Sequence, residues 1–248
     1  NYLMAHYKKF GDLDDVYYFR EPGTLPAISF FDIRPALEAG HDRETAVKEK
    51  ADHFHALMRM IMGAEKHEQA FVANEILTFL IYALFDPKRG DDVFGLDDLV
   101  DAATRMHRHQ ELPEVSDINA DIHDSLASQF AKDEHQFNTT MGAVLNRLNR
   151  LKEDRHLHWM LRYKPGHESD GTDLYGFHQQ DAHFDFSEFL DEDVTILFDL
   201  GDLTLDAQRG FTTVLLSNLW HAIQRRRRTN PENVVNVIME EAAPFVAT

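Results

Sequence analysis

Two adjacent glutamates, Glu240 and Glu241, are the residues of this sequence best placed to do chemistry, because they follow the largely apolar run 234–239. Such a run is typical of a strand buried in a parallel sheet, and open α/β sheets bind ligands at the carboxyl ends of their strands. One carboxylate could hold the water shell of Mg²⁺, and the next could orient and deprotonate a water that attacks a phosphoryl group. The pattern also fits a strand that ends in an acidic turn or a helix N-terminus.

Two further features could belong to such a site. Asp199 follows the run 194–198 and could face the same sheet edge, although an Asp at this position more often caps a turn, here onto Gly201. The basic run of residues 225–228 could contact DNA phosphates. It could equally complement the carbonyls and the dipole at a helix C-terminus. The run consists of Arg225, Arg226, Arg227 and Arg228.

Histidine is abundant, and some of its positions could bind metal. Residues 181–185 would align Asp181, His183 and Asp185 on one side of an extended segment, which is a weak pattern for a divalent ion. Three i,i+2 pairs would not share a helix face, so we expect them to lie on the solvated surface. These pairs are His53 with His55, His107 with His109, and His156 with His158.

The elements that must position these residues alternate in type. The runs 16–19, 194–198 and 234–239 read as strands, and residues 205–226 read as a helix between the last two. A strand, a helix and a strand at this spacing form a βαβ unit, so we expect parallel neighbours.

The middle of the chain has a different periodicity. Helical spacing of apolar residues predicts helices over 43–62, 64–85, 96–108 and about 121–151, with no strand among them. The polar, turn-rich stretch 165–173 reads as an exposed linker. We therefore predict an α/β fold with an all-α domain inserted into it.

Composition indicates a globular protein with an acidic surface. The 248 residues carry a formal net charge of −18, with 43% hydrophobic residues and no cysteine, which excludes disulfides and thiolate metal sites. Scarce lysine suggests either adaptation to a high-salt cytoplasm or an ordinary acidic cytosolic protein.

The most apolar stretch, 70–85, contains Glu75 and is too short for a membrane segment. The chain opens at Asn1 and not at a methionine, and we expect both of its ends to continue in a larger protein.

The block 193–245 resembles the C-terminal part of HerA/FtsK-type P-loop ATPase cores, including TraG/TraD-like motors of conjugation and type IV secretion. The similar residues are 193–201, 215–220 and 235–242. The resemblance implies that Glu240 takes the Walker B position that holds Mg²⁺ through water, and that Glu241 is the catalytic base. It also implies a partial RecA-like parallel sheet, formed by residues 1–36 and 166–248, with an inserted all-α domain at 37–165.

The resemblance further implies ATP and Mg²⁺ as cofactors, a hexameric ring, DNA or other secretion and conjugation components as partners, and a cytoplasmic location at the inner face of the membrane. However, the sequence contains no G-x-x-x-x-G-K-[ST] loop, so we expect this chain alone to be inactive while the full-length protein is a Mg²⁺-dependent ATPase.

Two other classes remain open. One is a helical metal phosphohydrolase that uses a His-Asp pair, either His41 with Asp42 or His123 with Asp124. The other is a non-catalytic assembly module.

Overall fold

A computed structural model describes residues 16–20, 26–165, 184–227 and 234–239. Two strands far apart in sequence, β1 (Val16–Arg20) and β4 (Thr195–Asp199), pair in parallel with Val16 opposite Thr195 and Arg20 opposite Asp199. Both strands were predicted. The intervening chain is largely helical, as expected, so the fold mixes helices with a small parallel sheet.

The described helices agree with most of the predicted ones in type and position. They are α1 (Arg34–Glu38), α2 (Arg43–Met62), α3 (Ala64–Glu68), α4 (Phe71–Leu84), α5 (Leu96–His109), α6 (Ala120–Ala127), α7 (Glu134–Glu153), α8 (Arg155–Leu161) and α9 (Leu205–Arg227). Short 3-10 turns occur at Pro87–Arg89, Asp117–Asn119, Ser128–Ala131 and Phe186–Glu188.

Helix α2 shows why local sequence fixes some boundaries. Asp42 is its N-cap and accepts a hydrogen bond from the backbone N–H of Thr45 at 2.9 Å. Gly63 ends the helix at a φ of 86°, a conformation that glycine adopts without steric cost. The predicted apolar face of α2 is buried throughout: Val47, Ala51, Phe54, Met58 and Ile61.

Two predictions for the helical region are wrong in detail. A single helix over 64–85 is instead α3 and α4, separated at Ala70, where the backbone leaves helical geometry. At the break the carbonyl of His67 accepts from the backbone N–H of Ala70 at 3.3 Å and from the side-chain amide of Asn74 at 2.7 Å.

The region also contains a short antiparallel pair, β2 (Phe31–Asp32) with β3 (Val93–Phe94), where no strand was expected. The stacked rings of Phe31 and Phe94, with centroids 4.5 Å apart, accompany this pairing. A two-residue ladder has no alternating pattern long enough to detect in the sequence.

One hydrophobic core joins the helical region to the parallel pair. Phe54 of α2, Phe211 of α9 and Leu148 of α7 are all fully buried in it. Phe19 and Phe198 pack against this core from the two strands, and their stacked rings lie 5.1 Å apart. The predicted boundaries at 36/37 and 165/166 remain predictions, but the buried cluster is continuous across them.

Asp86 is a fully buried carboxylate that ties its own turn to the segment 116–119. It accepts hydrogen bonds from the backbone N–H of Lys88 at 2.8 Å, from the N–H and hydroxyl of Ser116 at 2.9 Å each, and from the Asn119 amide. Burial alone would raise the pKa of Asp86. The hydrogen bonds from Asn119, Lys88 and Ser116 outweigh it, so its pKa lies below the ordinary value.

We predict that Asp86→Asn destabilises the fold by about 2–3 kcal/mol, because an amide replaces an acceptor that serves four donors. Urea unfolding should show this loss at neutral pH, whereas the exposed control Asp91→Asn should unfold like the wild type.

The same pair tests the sign of the pKa shift. Because the folded-state pKa is lowered, the carboxylate stabilises the fold fully above the unfolded value of about 3.9. This contribution is lost as pH falls through the folded-state pKa, so the difference between wild type and Asp86→Asn should shrink there. A difference that grows with acidity would contradict this assignment.

Candidate functional site at the carboxyl edge of the parallel strands

The parallel pairing brings the carboxyl ends of β1 and β4 to the same edge, where Arg20 lies opposite Asp199. This edge gathers polar side chains from both strands and from the turn after β4. Tyr18 and Arg20 share one face of β1, since side chains alternate along a strand. Asp202, in the turn after β4, pairs with Arg20 at 3.1 Å.

Asp199 is the centre of this group. Its Oδ1 accepts a hydrogen bond from the backbone N–H of Gly201 at 3.2 Å, which is the predicted turn cap. Its Oδ2 accepts a hydrogen bond from the Tyr18 hydroxyl at 2.8 Å and lies 3.7 Å from Nε of Arg20. The side chain is 39% exposed, so it caps the turn and faces solvent at the sheet edge.

These contacts hold Asp199 in its ionised form. The Tyr18 hydroxyl contributes most to lowering the pKa of Asp199, followed by the Gly201 N–H, and the charge of Arg20 acts in the same direction. The pKa of Tyr18 is raised in return, chiefly because its hydroxyl donates to Asp199. Such a carboxylate is suited to accept hydrogen bonds or to contact a hydrated cation, and poorly suited to act as a proton acceptor near neutral pH.

The run before the two glutamates differs from expectation. Residues 234–239 form no strand, and Val234 and Ile238 are 81% and 89% exposed, so the predicted buried strand and its βαβ unit are wrong for these residues. Only Val235 packs against the core within this run. A strand needs a neighbour whose N–H and C=O groups complete its ladder, and the described β1–β4 pair does not extend to this run. Glu240 and Glu241 lie outside the described residues.

The basic cluster begins within α9, as predicted. Arg225 lies 3.7 Å from Asp185, and Arg226, whose side chain is only 8% exposed, lies 2.9 Å from Asp191. These ion pairs attach the end of α9 to the segment 185–191. Arg227 ends the helix, and Arg228 lies outside the described residues.

The histidines are more integrated into the fold than the solvated-surface interpretation predicted. That interpretation is wrong for His156 and His158, whose side chains are 16% and 23% exposed, and for His53 and His55. Both are partly buried: His53 contacts His221, and His55 lies 2.8 Å from the Thr78 hydroxyl. His158, also partly buried, contacts Asp97 at 2.9 Å. His109 is exposed, as expected.

The His-Asp pairs of the phosphohydrolase interpretation do not form a ligand cluster. Asp42 caps α2, and His123 with Asp124 is an exposed pair at 3.6 Å. Asp185 caps the turn at Ser187, while Asp181 and His183 lie outside the described residues. Within the described segments, no three His, Cys, Asp or Glu side chains are arranged to hold a metal ion.

Sequence reasoning missed Tyr18 and Arg20 as members of the edge. Tyr18 lay on the predicted strand 16–19 and Arg20 directly after it, and alternation along an extended chain would have placed both side chains on one face. Their partner, however, lies more than 170 residues away, and only the parallel register identifies it.

Family models, curated proteins and solved structures were all compared with the chain, and none matches it. No helix in the described ranges combines the length and the apolar character needed to cross a bilayer.

We predict that Tyr18→Phe raises the pKa of Asp199, because it removes the strongest interaction that lowers this pKa and leaves the Gly201 N–H in place. A carboxyl-carbon NMR titration would measure the change. Tyr17→Phe is the matched control, because Tyr17 points to the opposite face of β1 and contacts Phe189 instead. Equal pKa values of Asp199 in the two variants would contradict the role given to Tyr18.

Proposed function

We propose that this chain is part of an ATP-hydrolysing motor of the DNA-translocation or conjugation class, carrying its all-α and Walker B regions. The observation that supports this most strongly is the parallel β1–β4 pair, joined through a long helical connection and followed by α9. A parallel pair requires a crossover, and here the crossover contains the helical region that the resemblance implies. The carboxyl edge of such a sheet is where nucleotides bind in open α/β folds.

The carboxyl edge of the β1–β4 pair offers one group that nucleotide hydrolysis uses, an ionised carboxylate. Mg²⁺ is bound by one or two carboxylates together with substrate phosphates and waters, and Asp199 supplies an ionised carboxylate at the edge. In the proposed motor, Glu240 would hold Mg²⁺ through a water and Glu241 would accept the proton of the attacking water, which requires the run 234–239 to join the sheet that the described residues do not show it in. The metal would spread the charge that develops on the phosphoryl group.

In this proposal, the residues that bind the phosphates of ATP are not part of this chain. The chain contains no phosphate-binding loop with the sequence G-x-x-x-x-G-K-[ST], whose backbone N–H groups and lysine cradle the β- and γ-phosphates. We therefore infer that the chain by itself does not turn over ATP and that the loop is supplied by sequence outside these residues.

The proposed partners follow from the same class of motor. Other copies of the protein would form a ring, and DNA or components of a secretion or conjugation apparatus would be moved through it. The acidic composition disfavours broad electrostatic contact with DNA, so any such contact needs a local basic surface. Arg225 is a candidate for it, since its ion pair with Asp185 is long. A cytoplasmic position at the inner membrane face and adaptation to high salt belong to this proposal too.

The test uses the protein with its natural flanking sequence. We predict that Glu241→Gln lowers the rate of ATP hydrolysis by about 100-fold or more, because it removes the general base, while ATP binding is retained. Steady-state phosphate release and nucleotide binding would be measured in parallel. Glu68→Gln, an exposed change of the same kind on α3, is the control and should hydrolyse ATP like the wild type. Undiminished turnover in Glu241→Gln, or no ATP hydrolysis by the wild-type protein, would contradict the proposal.

A further inference from the structure

A cleft of about 540 Å³ lies between the helical region and α9, away from the sheet edge. Lys50 and His53 of α2 line one wall, and His221 and Arg225 of α9 line the opposite wall. Trp220, which is 54% exposed, lies beside them. The described residues therefore bring cationic, imidazole and aromatic side chains together from two helices separated by about 170 positions in the sequence.

Lys50 is the residue of the cleft whose charge is least balanced. It is partly buried and makes no hydrogen bond or ion pair with any described residue. Burial lowers its pKa to about 8. Asp32, Glu49 and Asp185 oppose that shift from a distance, whereas the charge of Arg225 adds to it. A half-buried ammonium without a partner is costly, and a bound anion would relieve that cost.

Two of the four carboxylates that line the cleft, Asp32 and Asp185, are engaged by other groups. Asp32 accepts two hydrogen bonds from the Arg34 guanidinium, at 2.9 and 2.6 Å, and a third from the Ser29 hydroxyl. Asp185 caps the turn at Ser187 while it faces Arg225. Glu49, whose Oε1 lies 3.9 Å from Nδ1 of His41, and Glu38 line the cleft without a hydrogen bond to a described residue. Arg34 is paired with Asp32 and Arg225 with Asp185, so Lys50 is the cation of the described lining that has no ion pair.

The two imidazoles act as a neutral pair. Nε2 of His221 lies 3.1 Å from Nε2 of His53, so one ring donates to the other. Burial is the main reason that the pKa of His53 falls to about 4 and that of His221 to about 3. Lys50 lowers both further, and Arg225 lowers the second. The accepting ring carries its own N–H on its other nitrogen.

We propose that this cleft binds a small phosphate-bearing anion, held by the ammonium of Lys50 and the guanidinium of Arg225, with one N–H from the His53–His221 pair. A phosphate offers three acceptor oxygens, which match these three kinds of donor. Nε of Arg225 is buried and has no hydrogen-bond partner, so a donor on this wall is unused. The exposed indole of Trp220 provides a surface on which a ring attached to the phosphate could stack.

The test is calorimetric titration of the chain with inorganic phosphate and, separately, with AMP. We expect saturable binding that Lys50→Met weakens by about tenfold or more, because a charged hydrogen-bond donor is lost. Lys48→Met, an exposed change two residues earlier on α2, should bind like the wild type. Since Lys50→Met removes an unpaired charge, it should fold at least as stably as the wild type, which urea unfolding would check.

Two further readouts separate a binding role from a structural one. At pH 8, binding should draw a fraction of a proton from the buffer, because the anion raises the pKa of Lys50. This uptake appears as a binding heat that depends on the ionisation enthalpy of the buffer, and it should vanish in Lys50→Met. If AMP binds more tightly than phosphate and Trp220→Ala removes this difference, the adenine ring stacks on Trp220. If AMP and phosphate bind equally tightly, the site recognises the phosphate alone. Binding of neither anion, or equal binding by Lys50→Met and Lys48→Met, would overturn the proposal.

Discussion

The parallel pairing of β1 with β4 is the constraint on which the rest of the structure depends. It holds together two five-residue segments that are separated by the whole helical region. Closing so long a connection costs conformational entropy that ten strand residues alone do not offset. The offset comes from packing: Phe19 and Phe198 stack on each other, and Phe184 meets both rings edge-on. The strands are thus anchored in the same core that buries the helices.

That anchoring explains the chemistry of the edge. Because the strands run in the same direction, the residues at their carboxyl ends meet, and Tyr18 can donate to a carboxylate at the end of the other strand. The hydroxyl and a backbone N–H then fix both oxygens of Asp199 and keep it ionised. The parallel edge with its ionised carboxylate is the observation on which the proposed motor function rests.

Local signals in the sequence were sufficient for the elements that carry their own caps and periodicity. The apolar periodicity of residues 43–62 predicted α2 with its observed bounds, and the β-branched run before Asp199 predicted β4. The break at Ala70 and the two-residue β2–β3 pair could not be predicted in this way, because tertiary packing outweighs local propensity there. The same applies to residues 234–239, whose composition favours a strand although the described sheet gives them no partner.

The candidate sites, too, contain some residues that the sequence identifies and others that only the tertiary structure brings together. Asp199 was identifiable from its position after an apolar run, and its turn cap onto Gly201 was one of the two roles expected. By contrast, nothing in the sequence places His53 beside His221, or Lys50 in the same cleft as Arg225, because these arrangements arise only when α2 packs on α9. Spacing along one helix could describe His53 and His55 only relative to each other, and it therefore assigned them to the surface.

Disulfide mapping across the two strands tests the central pairing most directly, since the chain has no cysteine of its own. Cysteine pairs would be introduced at Val16 with Thr195 and at Tyr18 with Leu197, which are opposite each other in the parallel register. Both pairs should form disulfides under mild oxidation, because neighbouring strand positions lie within bonding range. Efficient bonding instead between positions 16 and 197 and between 18 and 195 would reveal antiparallel strands. That result would contradict the shared carboxyl edge.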